Sequence, residues 1–256
     1  MDLVELNRCG ENYNRHPWEL ARAEIAINKI REMEIPVGTT ILDIGCGDTY
    51  FIKQLSSVFP ENKMIGVDIA FTKEVLTELS NDLPTNVSIV SKLNEINFEE
   101  HTVSLVLLMD VIEHVPDDKV FLKEIFSNIK KGHNNEIKFL ITVPAFQWLY
   151  SAHDIFLGHY RRYTVSLLTK TLLSVGLDIS KKGYFFTSLY FARMIMKILE
   201  RLKFKNKNAN GIAAYYGSKT KTNLIKRALL LDYKINRIFK FKLPGLSCYA
   251  ICSKQI

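Results

Sequence analysis

Five short apolar runs, interleaved with segments of helical spacing, constrain this chain more than any other feature. They are "TTILDIGCG" (39–47), "KMIGVDIA" (63–70), "NVSIVSKL" (86–93), "VSLVLLMD" (103–110) and "IKFLITVP" (137–144). Helix-like segments fall at 49–59, 72–80 and 117–130. Strands separated by helices need crossover connections, so the strands lie parallel and helices cover both faces of the sheet. This α/β organisation accounts for residues 37–144.

The pattern changes on both sides of that unit. "PWELARAEIAINKIREM" (17–33) reads as an amphipathic helix with proline in its first turn, within an N-terminal extension of residues 1–36. An aromatic-rich loop, 145–163, leads into the helix "TVSLLTKTLLSVG", closed by Gly176, and a strand at about 177–185. The α/β core therefore spans 37–184, with 145–163 as a lid on it. Two basic helices form an expected cap at 185–242, and "GLSCYAICSK" is an expected final strand within 243–256.

Charge is concentrated in one place. Residues 193–242 hold fourteen Lys/Arg against Glu200 and Asp232, while the whole chain sums to +7. Such a segment suits an anionic membrane surface, a nucleic acid or an acidic substrate, and equally a solvated helical face. No run of about 18 uncharged apolar residues occurs, so no membrane span is expected. The polar, acidic start "MDLVELNRCGENYNRHPWE" is unlike a signal peptide and points to the cytoplasm. Cys9, Cys46, Cys248 and Cys252 form no CxxC pair and read as reduced thiols.

The turn "LDIGCGDTYF" carries the chemistry. Gly45 and Gly47 let backbone approach a ligand at the end of the first strand. A dinucleotide fingerprint would need glycine where Tyr50 stands, and no GK[ST] follows for phosphate binding. Asp43 would repel a pyrophosphate but suits a ligand carrying an ammonium and a sulfonium. Asp68, ending the next strand, can accept the hydroxyls of an adenosine ribose.

With "ILDIGCGDT", "GVDIA", "VLLMDVIEHV", "FLKEIFSNIKKGH" and "IKFLITVPA" in order, residues 37–145 resemble the class I S-adenosylmethionine-dependent methyltransferases. The resemblance implies a Rossmann-like, seven-stranded, mostly parallel sheet whose last strand inserts antiparallel. It implies S-adenosyl-L-methionine as cofactor, with Asp43, Gly45, Cys46 and Gly47 around the methionine part. Asp68 and Ile69 then lie at the ribose and adenine, and Met109 and Asp110 close the site at the fourth strand. Two positions depart from the pattern. Thr49 replaces the third glycine, and "SKLNEIN" lacks an acid for adenine, leaving Leu93 to pack on the ring. "HPWE", "DVIEHV" and "VPAFQWLYSAHDIFLGHYRRYT" resemble a bacterial subgroup associated with polysaccharides, lipid-linked sugars and specialised metabolites. That implies a small or lipid-linked acceptor, methylated on oxygen or nitrogen.

Such an acceptor needs a base if it carries a proton. His114, His153, Asp154 and His159 are the candidates, His114 alternatively bonding its own loop. His153, Asp154 and His159 could also be metal ligands, but H-D-x4-H matches no established metal spacing, so no metal is expected. Trp148, Tyr150, Tyr160 and Tyr163 are candidate acceptor walls. Arg161 and Arg162 either grip an anionic acceptor or brace the loop through Asp154 or Glu113. A nucleic-acid or peptide methyltransferase and a non-catalytic cofactor-binding partner are the alternatives. The turn "DVIEHV" lacks the Pro-Pro-aromatic arrangement used on base amines, which disfavours nucleic acid.

Overall fold

The computed structural model describes residues 14–130, 132, 136–202, 217–238 and 243–255. Cys9 and parts of the expected extension and basic cap (1–13, 203–216 and 239–242) lie outside the described residues. The first half runs α1 (Pro17–Arg31), β1 (Thr40–Ile44), α2 (Tyr50–Val58), β2 (Lys63–Val67), α3 (Lys73–Ser80), β3 (Val87–Val90) and β4 (Val103–Met109). Then come α4 (Asp118–Ile129), β5 (Glu136–Pro144), α5 (Ala152–Leu157), α6 (Val165–Ser174), β6 (Asp178–Phe185), α7 (Thr187–Leu202), α8 (Lys219–Ile238) and β7 (Ser247–Gln255). Thr72, Asp117 and Thr164 each accept a backbone N–H from the helix they precede, which sets where α3, α4 and α6 begin.

The seven strands form one sheet in the order β3-β2-β1-β4-β5-β7-β6. Strands β1 to β5 pair in parallel, and β7 inserts antiparallel between β5 and β6, as the resemblance implied. Strand pleating divides the core in two. Val106 and Leu108 of β4 face α4 and α6 through Leu122, Ile125, Leu168 and Leu172. Leu105 and Leu107 face α1 and α2 through Ala26, Ile30, Ile52 and Leu55. Burial on both faces explains why the strands read as unbroken apolar runs.

Helix α8 lies on α1, where Leu229 meets Ala21, Ile25 and the Phe185–Phe186 pair ending β6. Helix α7 is less covered: Phe191, Ile195, Met196, Ile198 and Leu199 are all exposed. Among the described residues, no helix is long and apolar enough to cross a membrane.

The lid departs from a plain loop. Ser151 and Asp154 make a capping box that nucleates α5, and Gly158 at φ 73° ends it. A one-turn 3-10 segment, Gln147–Leu149, precedes it. Helices follow β1 and β4 toward opposite flanks of the sheet, so the crevice at the carboxyl ends of these adjacent strands is where such sheets bind ligands.

Candidate active site

The glycine turn is shaped by contacts from both neighbouring strands. Gly45 donates to the Val67 carbonyl at 2.7 Å and holds φ at 75°. A Cβ on Gly45 would sit 2.6 Å from Val111 Cγ2, so the turn after β4 packs directly against the loop. Cys46 is buried, and its sulfur lies against Gly66 of β2; burial pushes the thiol pKa up, so the thiol is not poised as a nucleophile. Thr49, at the third-glycine position, takes the left-handed conformation itself, with φ 61°.

Two carboxylates flank this turn in different states. Asp68 accepts from Gly47 N at 2.8 Å and from Ala70 N at 2.9 Å. Asp43 is 1% exposed, and neither side-chain oxygen has a hydrogen-bond partner among the described residues. Burial pushes its carboxyl up to about 7, with Asp68 adding to the rise and Arg22 opposing it. A buried, unsatisfied acid beside a glycine turn fits a ligand that brings its own positive charge. Ile69 is 90% exposed and Leu93 is half-buried against the core, so both leave apolar surface open to solvent.

Sequence reading missed the basic residues of α1 and its approach. Arg22 pairs with Asp110, and Arg15 pairs with Asp48 while lying 3.9 Å from the Tyr50 ring centroid. Asp110 also accepts from Thr142 Oγ1 at 2.9 Å and holds φ at 61°, which fixes the turn beyond Met109. Nothing in the spacing of "ELARAE" marks Arg22 as a partner of a residue 88 positions on.

The lid is laced onto the β4 turn. Tyr160 N donates to Glu113 O at 2.8 Å, Arg161 donates to Val115 O and Pro116 O, and Arg161 lies 3.4 Å from the Asp118 carboxylate. Tyr163 is fully buried, with its hydroxyl 2.7 Å from Asp118. It braces the lid and cannot line an acceptor pocket. Asp154, also fully buried, accepts from Ser151, His159 and both Nε and Nη2 of Arg162. Burial alone would raise Asp154; the His159 and Arg162 bonds outweigh it and hold the carboxyl well below its ordinary value. Asp154 and Arg162 therefore leave the sets of proton handlers and acceptor contacts, because their charges are spent on each other. Their partnership was one of the two alternatives open from sequence. Arg161 is braced likewise, through Asp118 rather than Asp154 or Glu113.

Tyr150 donates to His159 O at 2.6 Å and accepts at its own carbonyl from Lys197, so it ties lid to α7. Trp148 and Tyr160 remain exposed on the lid, Trp148 edge-on to Tyr190 of α7 at 5.9 Å. His153 is partly buried on α5, and burial lowers its pKa. His114 and His159 meet edge to face with centroids 4.5 Å apart, next to Glu113. Glu113 is fully buried, neither carboxylate oxygen has a hydrogen-bond partner among the described residues, and burial pushes the carboxyl up to about 8. It stands 46 positions before His159 in the sequence and was read from sequence only as a possible brace; its place before His114 in "DVIEHV" is the signal that could have found it.

A switch-point crevice with a glycine turn and acids ending β1 and β2 defines the class I methyltransferase architecture. Residues 17–182 match the family model described as a methyltransferase domain. The chain belongs to this family, the S-adenosylmethionine-dependent methyltransferases of class I. It is 26% identical over 144 residues to the ubiquinone biosynthesis O-methyltransferase of Hydrogenovibrio crunogenus, a match covering 51% of this chain and 58% of that protein. Among solved structures, a SAM-dependent methyltransferase from Archaeoglobus fulgidus aligns with TM-score 0.51 and 18% identity, covering 91% of this chain and 94% of that one. Phosphoethanolamine N-methyltransferase 2 of Haemonchus contortus, in complex with S-adenosyl-L-methionine, aligns with TM-score 0.54 and 17% identity over 96% of this chain and 55% of that one. At these identities the structural likeness establishes the fold.

Proposed function

We infer that this protein transfers a methyl group from S-adenosylmethionine to an oxygen or nitrogen of a small acceptor that is sugar-like, lipid-linked or a specialised metabolite. The observation that carries this reading is the buried Asp43 carboxyl beside the Gly45–Gly47 turn, without a hydrogen-bond partner among the described residues, with Asp68 at the next strand end. When bound, S-adenosylmethionine supplies an electrophilic methyl on sulfonium. Asp43 answers the cofactor's positive charge, Asp68 its ribose hydroxyls, and Ile69 and Leu93 its adenine. Met109 and Asp110 border the reacting end.

Trp148 and Tyr160 are the exposed aromatic surfaces the lid offers an acceptor. Acceptor deprotonation is assigned to the Glu113–His114–His159 group, which the lid and the β4 turn bring together. The transfer forms a bond from acceptor to methyl and returns the S–CH3 electron pair to sulfur, leaving a thioether. The O-methyltransferase relative favours oxygen as the acceptor atom. A lipid-linked acceptor is supported by the exposed apolar face of α7, which adjoins Trp148 and runs into the basic segment 193–242. Together these features suit peripheral contact with an anionic inner-membrane surface from the cytoplasm.

Calorimetry with S-adenosylmethionine and S-adenosylhomocysteine tests the cofactor assignment, and tritiated methyl transfer into lipid and soluble extract fractions tests the acceptor class. Binding of neither nucleoside overturns the reading.

A further inference from the structure

The turn after β4 and the lid bring Glu113, His114 and His159 together from distant parts of the sequence. One ligand-capable atom from each lies within 4.8 Å of the other two. Two observations separate this group from an ordinary polar contact. The first is Glu113, 0% exposed, with no hydrogen-bond partner for either carboxylate oxygen among the described residues. A buried acid in that situation has nothing beside it to support its ionised form, and a cation supplies what it lacks.

The second is the orientation of His159. Its Nδ1 lies 2.9 Å from Asp154 Oδ1, and Asp154 is fixed in turn by Arg162 and Ser151. A ring nitrogen facing that carboxylate carries the proton, so Nε2 presents its lone pair. A carboxylate behind an imidazole is the device that orients histidines at metal centres. The Tyr160 N–Glu113 O bond of 2.8 Å holds the lid and the turn in register, so the donors are assembled in advance.

We propose that Glu113, His114 and His159 form a binding site for a divalent first-row transition-metal ion. Two imidazoles and one carboxylate suit Zn2+, Fe2+ or Co2+, whereas Mg2+ and Ca2+ favour all-oxygen sets. Three protein ligands leave coordination positions open. The ligand set differs from the one weighed in the sequence: Asp154 serves behind His159, and His153 is outside the cluster. Resting on the methyltransferase reading, the site further selects the acceptor class: an ion held here would replace the free imidazoles as the group that promotes loss of the acceptor's proton, by lowering the pKa of a coordinated hydroxyl. An ion here favours acceptors that present a hydroxyl, or two neighbouring hydroxyls, to its open positions.

The test is calorimetric titration of the metal-stripped full-length protein with Co2+ and Zn2+, alongside titration with S-adenosylhomocysteine. One equivalent of metal is expected, with affinity falling at least about tenfold in Glu113→Gln and in His159→Gln but not in His153→Gln. Thermal melts and S-adenosylhomocysteine binding report whether each variant folds. If those variants do not fold, X-ray absorption of the zinc-loaded wild type decides. It should show only nitrogen and oxygen donors, including two imidazoles; sulfur donors overturn the site. Metal binding that is absent, or lost equally in His153→Gln, also overturns it. Retained S-adenosylhomocysteine binding then leaves the methyltransferase reading intact, and its loss alone tells against that reading.

Discussion

The Gly47 amide donates to the Asp68 carboxylate across 2.8 Å, joining the turn after β1 to the end of β2. Asp68 thus shapes the glycine turn before any ligand arrives, and its other oxygen is engaged by Ala70 N at 2.9 Å. Asp68→Ala removes both bonds and the acceptor proposed for the ribose hydroxyls. Hydrogen bonds to a charged group contribute about 1.5–3 kcal/mol each. S-adenosylmethionine affinity should therefore fall by roughly tenfold to a hundredfold or more in calorimetry. A change within about twofold would remove Asp68 from the cofactor site.

Asp43 predicts a pH dependence of that same affinity. Its carboxyl is raised to about 7 in the free protein, so it is largely protonated at pH 6 and ionised at pH 8. The cofactor's positive charge favours the ionised form. Affinity should strengthen as pH rises through 7, by about tenfold per unit at the steepest. In Asp43→Asn, binding should be weaker and flat over this range. A wild-type profile as flat as the variant's would disconnect Asp43 from the ligand.

Gly45 and Thr49 share the left-handed conformation but differ in what surrounds them. At Gly45 any side chain meets Val111 at 2.6 Å, so Gly45→Ala should displace the turn and lose both stability and cofactor binding. At Thr49 the β-branched side chain already bears the strain, with φ at 61° and its hydroxyl buried without a hydrogen-bond partner among the described residues. Left-handed backbone is disfavoured for such a residue by about 1–2 kcal/mol. Thr49→Gly should recover roughly 1 kcal/mol after glycine's own entropic penalty, read as a raised denaturation midpoint. An unchanged or lowered midpoint would contradict this account of the turn.

What the sequence disclosed and what it hid follow one physical division. The β1, β4 and β5 runs are buried on both faces, so each residue advertises its environment by being apolar, and the sheet was legible from them. Asp43 and Asp68 stood out because they interrupt or end such runs. The lid was legible as a polar cluster but not in its roles. Arg162 finds Asp154 through a turn of helix that Ser151 nucleates, and Glu113 meets His159 through the lid's docking on the β4 turn. The Arg162–Asp154 pair was one of two alternatives open from sequence; the choice between them, and the meeting of Glu113 with His159, depend on tertiary approach, which one-dimensional spacing does not encode.

The Arg162–Asp154 pair makes the lid a stability element. Asp154 is fully exposed to the consequences of losing its partner, being 0% accessible to water. Removing one member of a buried pair costs about 3–5 kcal/mol, because the remaining charge is uncompensated. Arg162→Met should lower the unfolding free energy by that order, while Arg162→Lys should recover only part of it, since lysine cannot span both carboxylate oxygens. If Arg162→Met unfolds like the wild type, the lid is not fastened by this pair.

Lys29 carries the clearest stability-against-pH prediction. It is 4% exposed on α1, with its ammonium 3.6 Å from the Tyr249 ring centroid and 5.3 Å from that of Tyr233. Burial lowers its pKa from 10.5 to about 7; Glu32 opposes the fall, whereas Arg237 and Lys181 add to it. Cation–π contact with the rings offsets only part of the desolvation. The unfolded chain binds the proton more tightly than the folded one between pH 7 and 10.5, so stability rises with pH across that window. Below pH 7 both states are protonated, and the penalty is present in full. Lys29→Met, of similar length and without the charge, should be more stable than the wild type at pH 6, by a few kcal/mol. The gap should narrow as pH approaches 10, measured as the difference between the two proteins' urea unfolding free energies at each pH. A gap that stays constant, or that widens with pH, would mean that Lys29 is solvated in the folded protein.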